Sequence, residues 1–154
     1  MAKLGLVVAV LIVVLALANV ARVDRMNMTV NPAESIETQT QMPQNVAAIF
    51  HRACRDCHTE LTRWPWYSKV APFLWLMAAD VYGARDHMNL STWGRYTSEQ
   101  RNDRLIAICE MVAGGKMPLW YYKPLHYPDA WLSEPDKKAV CDWSKSQVQL
   151  NAAR

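Results

Sequence analysis

The feature that most constrains this chain is the run Cys54-Arg55-Asp56-Cys57-His58. A Cys-x-x-Cys-His run is typical of the attachment site of c-type haem. Two thiols three positions apart can add to the two vinyl groups of one porphyrin, and the adjacent histidine then supplies its imidazole to the iron. We therefore predict that Cys54 and Cys57 hold one covalent haem and that His58 is an iron ligand.

Zinc is the rival metal for these residues, with His51 as an additional ligand. Structural zinc usually takes its ligands from two separated pairs of Cys or His residues. The sequence contains no second pair of that kind downstream of His58. The pattern therefore favours haem over zinc.

An unbroken apolar run extends from Leu4 to Ala18 in a chain of 154 residues with a net charge of +3. This length fits one domain with an N-terminal extension, and the small net charge gives no indication of nucleic-acid binding. Residues 1–22 are predicted to be a membrane anchor or a signal peptide. Lys3 and Arg22 could extend the helix to both membrane surfaces, whereas Ala16 and Ala18 fit a cleavage site. We favour an anchor in the bacterial cytoplasmic membrane, with the remaining chain in the periplasm.

Residues 23–42 are polar and lack a helical or strand period, so they are predicted to be a linker. The haem-binding domain is expected over residues 43–154. Its first helix follows Pro43, because Val46, Ile49 and Phe50 recur at helical spacing. Three more helices are predicted, over residues 72–85, from residue 97 or 98 to residue 113, and from a capping signature at residues 133–136 to about residue 149. The predicted fold is all-α.

Arg63 and Trp64 lie in an aromatic stretch that Pro65 prevents from being helical. The stretch is predicted to form a rigid loop just after His58. Such a loop could cover one edge of the haem, with Arg63 or Trp64 donating a hydrogen bond to a propionate. Surface packing of Trp64 with a solvated Arg63 is an equally supported alternative.

Met117 follows a helix that Gly114 and Gly115 are expected to end. Because Pro118 restricts the backbone beside it, the Met117 thioether can project rigidly toward the iron. Met117 is therefore the favoured second axial ligand, and a Met/His pair raises the reduction potential of a haem. The other candidates for this position are His126, Met111, Met88, His87 and His51.

Together these motifs resemble a class I cytochrome c, with Cys-x-x-Cys-His on a helix, a Gly-x-Met-Pro loop and a closing helix. The stretch Arg63 to Pro72 (RWPWYSKVAP), Ser91-x-Trp93 and Lys116-Met117-Pro118 are more particularly similar to the haem-binding domain family of bacterial single-haem cytochromes. The resemblance covers residues 43–145. It implies a small all-α fold, one haem c, and His58 and Met117 as axial ligands.

A covalent haem with both axial positions filled leaves no site at the iron for a substrate. The expected function is therefore single-electron transfer, to a redox protein or within a membrane respiratory or photosynthetic complex. Basic residues flank the haem segments and either steer an acidic partner or are solvated surface charges; they are Arg52, Arg55, Lys69, Lys116 and Lys123. The alternatives are a haem peroxidase and a haem-based gas sensor in which Met117 is displaced.

Cys109 and Cys141 remain after the haem has used Cys54 and Cys57. In an oxidising compartment two remaining thiols favour a disulfide. Both are predicted on helices that can pack together, provided that their Cα atoms approach within ~7 Å. We predict a Cys109–Cys141 disulfide, the alternative being two separate buried thiols.

Overall fold

The computed structural model describes residues 2–20, 23 and 25–153, without the side chains of residues 2 and 18–20. Within these ranges the chain forms helices and no strand, which confirms the predicted all-α class for this part of the protein. The α-helices are α1 (Ala2–Val20), α2 (Ile36–Gln39), α3 (Gln44–Ala53), α4 (Arg55–His58), α5 (Phe73–His87), α6 (Ser98–Ala113) and α7 (Glu134–Ala152). Short 3-10 helices cover Pro32–Glu34, Trp66–Lys69, Leu90–Arg95 and Lys123–His126.

The N-terminal helix α1 carries the apolar run noted in the sequence, and its side chains from Leu4 to Leu17 are exposed. Across residues 2–20, 23 and 25–153, no helix is both long and apolar enough to cross a membrane. The membrane-spanning helix expected from the sequence is therefore not found there. Residue 22, where the sequence predicts that the N-terminal segment ends, lies outside the described residues.

Residues 25–42, expected to be a linker, pack against the rest of the chain. The Ile36 side chain is buried and joins the main hydrophobic core. The Glu34 carboxylate accepts a hydrogen bond from Nε of Arg95 at 2.6 Å, which fastens this segment to the 3-10 helix Leu90–Arg95. The few apolar side chains of this stretch recur with no helical or strand period, so the sequence alone did not indicate this packing.

The core lies between α3, α6 and α7. The predicted apolar residues Val46, Ile49 and Phe50 of α3 are buried, and the rings of Phe50 and Trp143 meet edge to face with their centroids 5.3 Å apart. Helices α6 and α7 begin at complete capping boxes, Thr97 with Gln100 and Ser133 with Asp136, which confirms the two predicted starts. Each box satisfies main-chain N–H groups that the first helical turn leaves without partners.

A buried ion pair joins α5 to the loop that follows α4. Nη1 of Arg85 lies 2.9 Å from Oε2 of Glu60, and both side chains are about nine-tenths buried. Nε of Arg85 also donates to the carbonyl oxygen of Thr59 at 2.9 Å. The Asn89 side chain and the Met28 main-chain N–H donate to the Glu60 carboxylate. Because both charges have several partners, this pair holds the backbone after His58 in one position against α5.

Candidate haem site

The Cys-x-x-Cys-His run lies at the junction of two helices. Cys54 ends α3 and begins α4, and its backbone (φ −120°, ψ −34°) departs from helical values, so the two helices are separate elements. The Cys54 N–H still donates to the carbonyl of Phe50, and the His58 N–H donates to that of Cys54. The single turn of α4 therefore presents Cys57 and His58 immediately after Cys54.

These residues open onto a cavity of about 660 Å³ between α3, α5, α6 and the loop after α6. That volume lies within the range of cofactor sites, about 300–1,000 Å³. Apolar side chains dominate the lining, among them Phe50, Ile108 and Val112. Met117 and Pro118 form part of the same lining. The fold thus brings Cys54, Cys57, His58 and Met117 to one cavity, although 59 positions separate His58 from Met117.

The His58 ring is oriented by a main-chain contact. Its Nδ1 lies 3.0 Å from the carbonyl oxygen of Met88. A carbonyl only accepts, so Nδ1 carries the proton and Nε2 keeps its lone pair. Burial lowers the pKa of His58, which keeps the imidazole neutral. A neutral imidazole held through its other nitrogen is the usual arrangement of a metal-binding histidine.

The two thiols of the run are held in their neutral form. Burial raises the pKa of Cys54 and of Cys57 to about 12 in each case. Neither sulfur takes part in a disulfide. Both therefore remain available to the cavity as unpaired thiols.

Met117 is positioned by the end of α6. Gly115 has a positive φ of 67°, a conformation that glycine adopts without steric cost and that commonly ends a helix. The chain then turns back, so that the N–H groups of Lys116 and Met117 both donate to the carbonyl oxygen of Met111, at 2.9 and 3.1 Å. These bonds fix the backbone beside the Met117 side chain.

The other candidates for the second axial position divide into two groups. Met88, Met111 and His87 line the cavity, whereas His126 and His51 do not. His126 instead stacks on Tyr122 with ring centroids 3.6 Å apart and shares a short hydrogen bond with the Tyr67 hydroxyl. Nε2 of His51 lies 2.5 Å from Nη1 of Arg55.

Arg63 and Trp64 are not among the residues that line the cavity. The exposed Arg63 guanidinium pairs with the Asp56 carboxylate, with Nε 3.2 Å from Oδ1. Trp64 differs, because its indole Nε1 is buried and finds no hydrogen-bond partner in the described part of the chain.

Five polar residues of the cavity were missed by the sequence analysis: Asp80, Asp103, Arg104, Tyr121 and Tyr122. The Tyr121 hydroxyl donates to Oδ1 of Asp80 at 2.9 Å, and both residues line the cavity. Arg104 lines it too; its guanidinium carbon lies 3.9 Å from the Tyr96 ring centroid, and its Nε is buried without a partner among the described residues. In the sequence, Asp80 could have been noticed as the one acid within an otherwise apolar stretch of α5.

Cys109 and Cys141 form a disulfide between α6 and α7, with their Cα atoms 4.5 Å apart. Both helices contribute to the cavity wall, through Ile108 and Val140. The disulfide therefore ties together the two helices at positions next to residues of the site.

The residues present fit a haem better than a bound metal ion. In the described ranges, no group of three or more His, Cys, Asp or Glu side chains could hold a metal ion. A haem, in contrast, needs an apolar cavity with few ligands, and the cavity offers an imidazole nitrogen, thioether sulfurs and two thiols.

The comparison with protein families agrees with this chemistry. A family model described as a haem-binding domain matches residues 12–146, a longer range than the motifs of the sequence indicated. No curated protein and no solved structure matches the chain. Because the match covers most of the 154 residues, the chain belongs to the haem-binding domain family, and its cofactor is haem.

Proposed function

We propose that this protein is a single-haem c-type cytochrome that transfers electrons one at a time, with a class I cytochrome c-like arrangement around its haem. The observation that supports it best is the shared cavity, in which Cys54, Cys57, His58 and Met117 meet. Thioether bonds from both cysteines would hold the haem permanently while it cycles between two oxidation states.

In this proposal His58 and Met117 are the two axial ligands. Nε2 of His58 has a free lone pair because Nδ1 donates to Met88. The main-chain carbonyl of Met88 contacts the His58 ring, and His87 directly precedes Met88, so both residues lie near His58 in space. Met117 and Met111 belong to a different wall, made by α6 and the loop after it. Of these two methionines Met117 is favoured: Gly115 and Met111 fix its backbone, whereas the Met111 side chain is partly exposed on the helix.

The haem supplies the one-electron chemistry when it is bound. The chain itself excludes water with the apolar side chains of α3 and α6, orients the imidazole of His58, and offers donors for the haem carboxylates. Arg104 is the best placed of these donors, because it lines the cavity and its buried Nε has no partner among the described residues. Trp64 also has a buried indole N–H without a partner in the described chain, whereas Arg63 already pairs with Asp56, and neither of the two lines the cavity.

The proposed partner is an acidic redox protein or a membrane electron-transfer complex. Lys69 and Lys116 are exposed and could steer such a partner. Arg52 is less suited, because its guanidinium lies 2.8 Å from the Asp136 carboxylate and also donates to main-chain carbonyls. Weaker association at high ionic strength is expected, since salt screens exposed charges.

We also propose that the N-terminal apolar segment directs export, so that the haem domain works in the periplasm at the cytoplasmic membrane. The apolar run of the sequence and the disulfide support this location. Cell fractionation with intact-mass measurement tests it. The protein is expected in the membrane or periplasmic fraction, and its mass shows whether residues 1–22 are retained. Recovery of the full-length chain from the cytoplasm alone would contradict the proposal.

The decisive experiment for the cofactor is extraction of haem from the denatured protein with acidified acetone. Covalent haem stays with the wild-type chain, whereas a Cys54→Ala/Cys57→Ala variant releases any haem it contains. A matched control is Cys109→Ala/Cys141→Ala, which also lacks two cysteines but keeps both attachment sites. Release of haem from the wild-type protein would overturn covalent attachment without affecting haem binding itself.

A peroxidase or a gas sensor would need an open or easily vacated position at the iron. The cavity wall instead presents Met117 on a backbone held by two hydrogen bonds to Met111. This observation favours electron transfer over both alternatives.

A further inference from the structure

Asp80 and Tyr121 form a hydrogen-bonded pair within the wall of the haem cavity. Asp80 lies on α5 and Tyr121 in the loop after α6, and the Tyr121 hydroxyl donates to Oδ1 of Asp80 at 2.9 Å. The Asp80 side chain is only partly buried, so protons can reach it from solvent. Because Asp80 lines the cavity, its carboxylate would lie close to the charge of a bound haem.

The carboxylate has no cationic partner of its own. Across the residues that the structure describes, no Lys, Arg or His nitrogen lies within 4.0 Å of Asp80, although six such ion pairs occur elsewhere. Burial raises the pKa of Asp80, and the bond from Tyr121 offsets part of this effect. The other titratable or charged side chains that line the same cavity are Cys54, Cys57, His58, His87, Asp103, Arg104 and Tyr122.

We propose that Asp80 is a redox-linked proton site, taking up one proton when the protein is reduced and releasing it on oxidation. This inference rests on the proposed electron-transfer function. On reduction, one electron passes from an external one-electron donor to the haem iron, and one proton passes from water to the Asp80 carboxylate. On oxidation the electron passes to an external one-electron acceptor and the proton returns from Asp80 to water, so charge and atoms balance over the cycle.

The physical reason is electrostatic. The oxidised centre carries one more positive charge than the reduced centre, and a positive charge nearby favours the ionised carboxylate. Reduction removes that charge, so the carboxylate binds a proton more readily. A cavity that excludes water strengthens the interaction, because charges are screened less there than in solution. Asp80 therefore has a lower pKa in the oxidised protein than in the reduced protein. At pH values between these two, reduction and proton uptake are coupled.

Tyr121 is a positioning residue in this scheme. Its hydroxyl stabilises the ionised form of Asp80 by donating to it. Tyr121→Phe removes the donor, which raises the pKa of Asp80 in both oxidation states. The pH range of coupling is then expected to move upward without being lost.

The test is the midpoint potential of the haem-loaded protein, measured between about pH 4 and pH 9. In the wild type the potential is expected to fall as the pH rises through one range, with a slope of up to about 59 mV for each tenfold fall in proton concentration. Asp80→Asn is expected to remove this range of pH dependence, and Tyr121→Phe to shift it upward. The matched control is Asp86→Asn, an exposed acid on the same helix that does not line the cavity, which should behave as the wild type.

A redox-induced infrared difference spectrum gives a second readout that needs only the wild type and the Tyr121 variant. Reduction is expected to produce the carbonyl stretch of a protonated carboxyl group. A potential independent of pH, absence of that band, or unchanged pH dependence in Asp80→Asn would overturn the proposal; the last result would assign the proton to another group, such as a propionate. Failure of the proposed function is distinguishable, because the wild-type protein would then release its haem into acidified acetone or bind carbon monoxide rapidly, whatever the pH dependence of its potential.

Discussion

The Nδ1–H group of His58 donates to the main-chain carbonyl oxygen of Met88 at 3.0 Å. This contact sets the tautomer of the ring and leaves Nε2 with its lone pair, on a residue that lines the cavity. Met88 follows directly after α5, whose position is held by the buried pair of Arg85 with Glu60. The orientation of the proposed proximal ligand therefore depends on contacts made 27 and 30 residues further along the chain.

Ligation by Met117 predicts a specific absorption band. The oxidised protein should show the weak long-wavelength charge-transfer band of sulfur bound to ferric haem, and Met117→Ala should abolish it. Met111→Ala is the matched control, because Met111 also lines the cavity but stands within α6, and the band should survive there. Absence of the band from the wild type, or its persistence in Met117→Ala, would exclude this ligand.

Electron transfer without chemistry at the iron predicts slow or poor binding of carbon monoxide to the reduced protein. A filled sixth position must first lose its ligand, so Met117→Ala should bind the gas rapidly. Met88→Ala should remain slow, and peroxide turnover by the wild type should be negligible. Stopped-flow mixing measures the rates. Rapid binding by the wild type would support the sensor or peroxidase alternatives instead.

Removing one charge of the buried pair should destabilise the protein strongly. Arg85→Met leaves the Glu60 carboxylate buried without its cation, for which we expect a loss of about 3–5 kcal/mol in the free energy of unfolding. Urea titration followed by circular dichroism measures it. The control is Lys138→Met: its pair with Asp142 is exposed, and such helix pairs contribute only about 0.3–0.5 kcal/mol. Equal effects of the two substitutions would contradict the importance assigned to Arg85.

The Cys109–Cys141 disulfide should contribute to stability through the unfolded chain. The cysteines are 32 positions apart, and the chain-entropy relation gives about 3.7 kcal/mol for a loop of that length. We expect Cys109→Ala/Cys141→Ala to lower the free energy of unfolding by roughly this amount. Thiol titration of the unfolded, unreduced Cys54→Ala/Cys57→Ala variant should find no free thiol. Two reactive thiols per chain would show that the disulfide does not form in the protein.

Local signals in the sequence predicted the helices of the domain well. The starts of α6 and α7 follow from capping residues, Thr97 and Ser133, that act on the next turn of the same helix. The end of α6 follows from Gly114 and Gly115 in the same way. These features need only neighbours within about four residues, so a single sequence contains the information.

The sequence also determined which chemistry was available, because Cys-x-x-Cys-His and Met-Pro restrict the possible cofactors to very few. Only the tertiary structure decided which residues share the cavity: Met117 and Arg104 line it, whereas His126 and Arg63 do not. The same holds for Asp80 with Tyr121, for Arg85 with Glu60, and for the packing of Ile36 into the core. Each of these contacts joins residues more than 20 positions apart. They depend on how the helices pack against one another, and no local periodicity in the sequence encodes that arrangement.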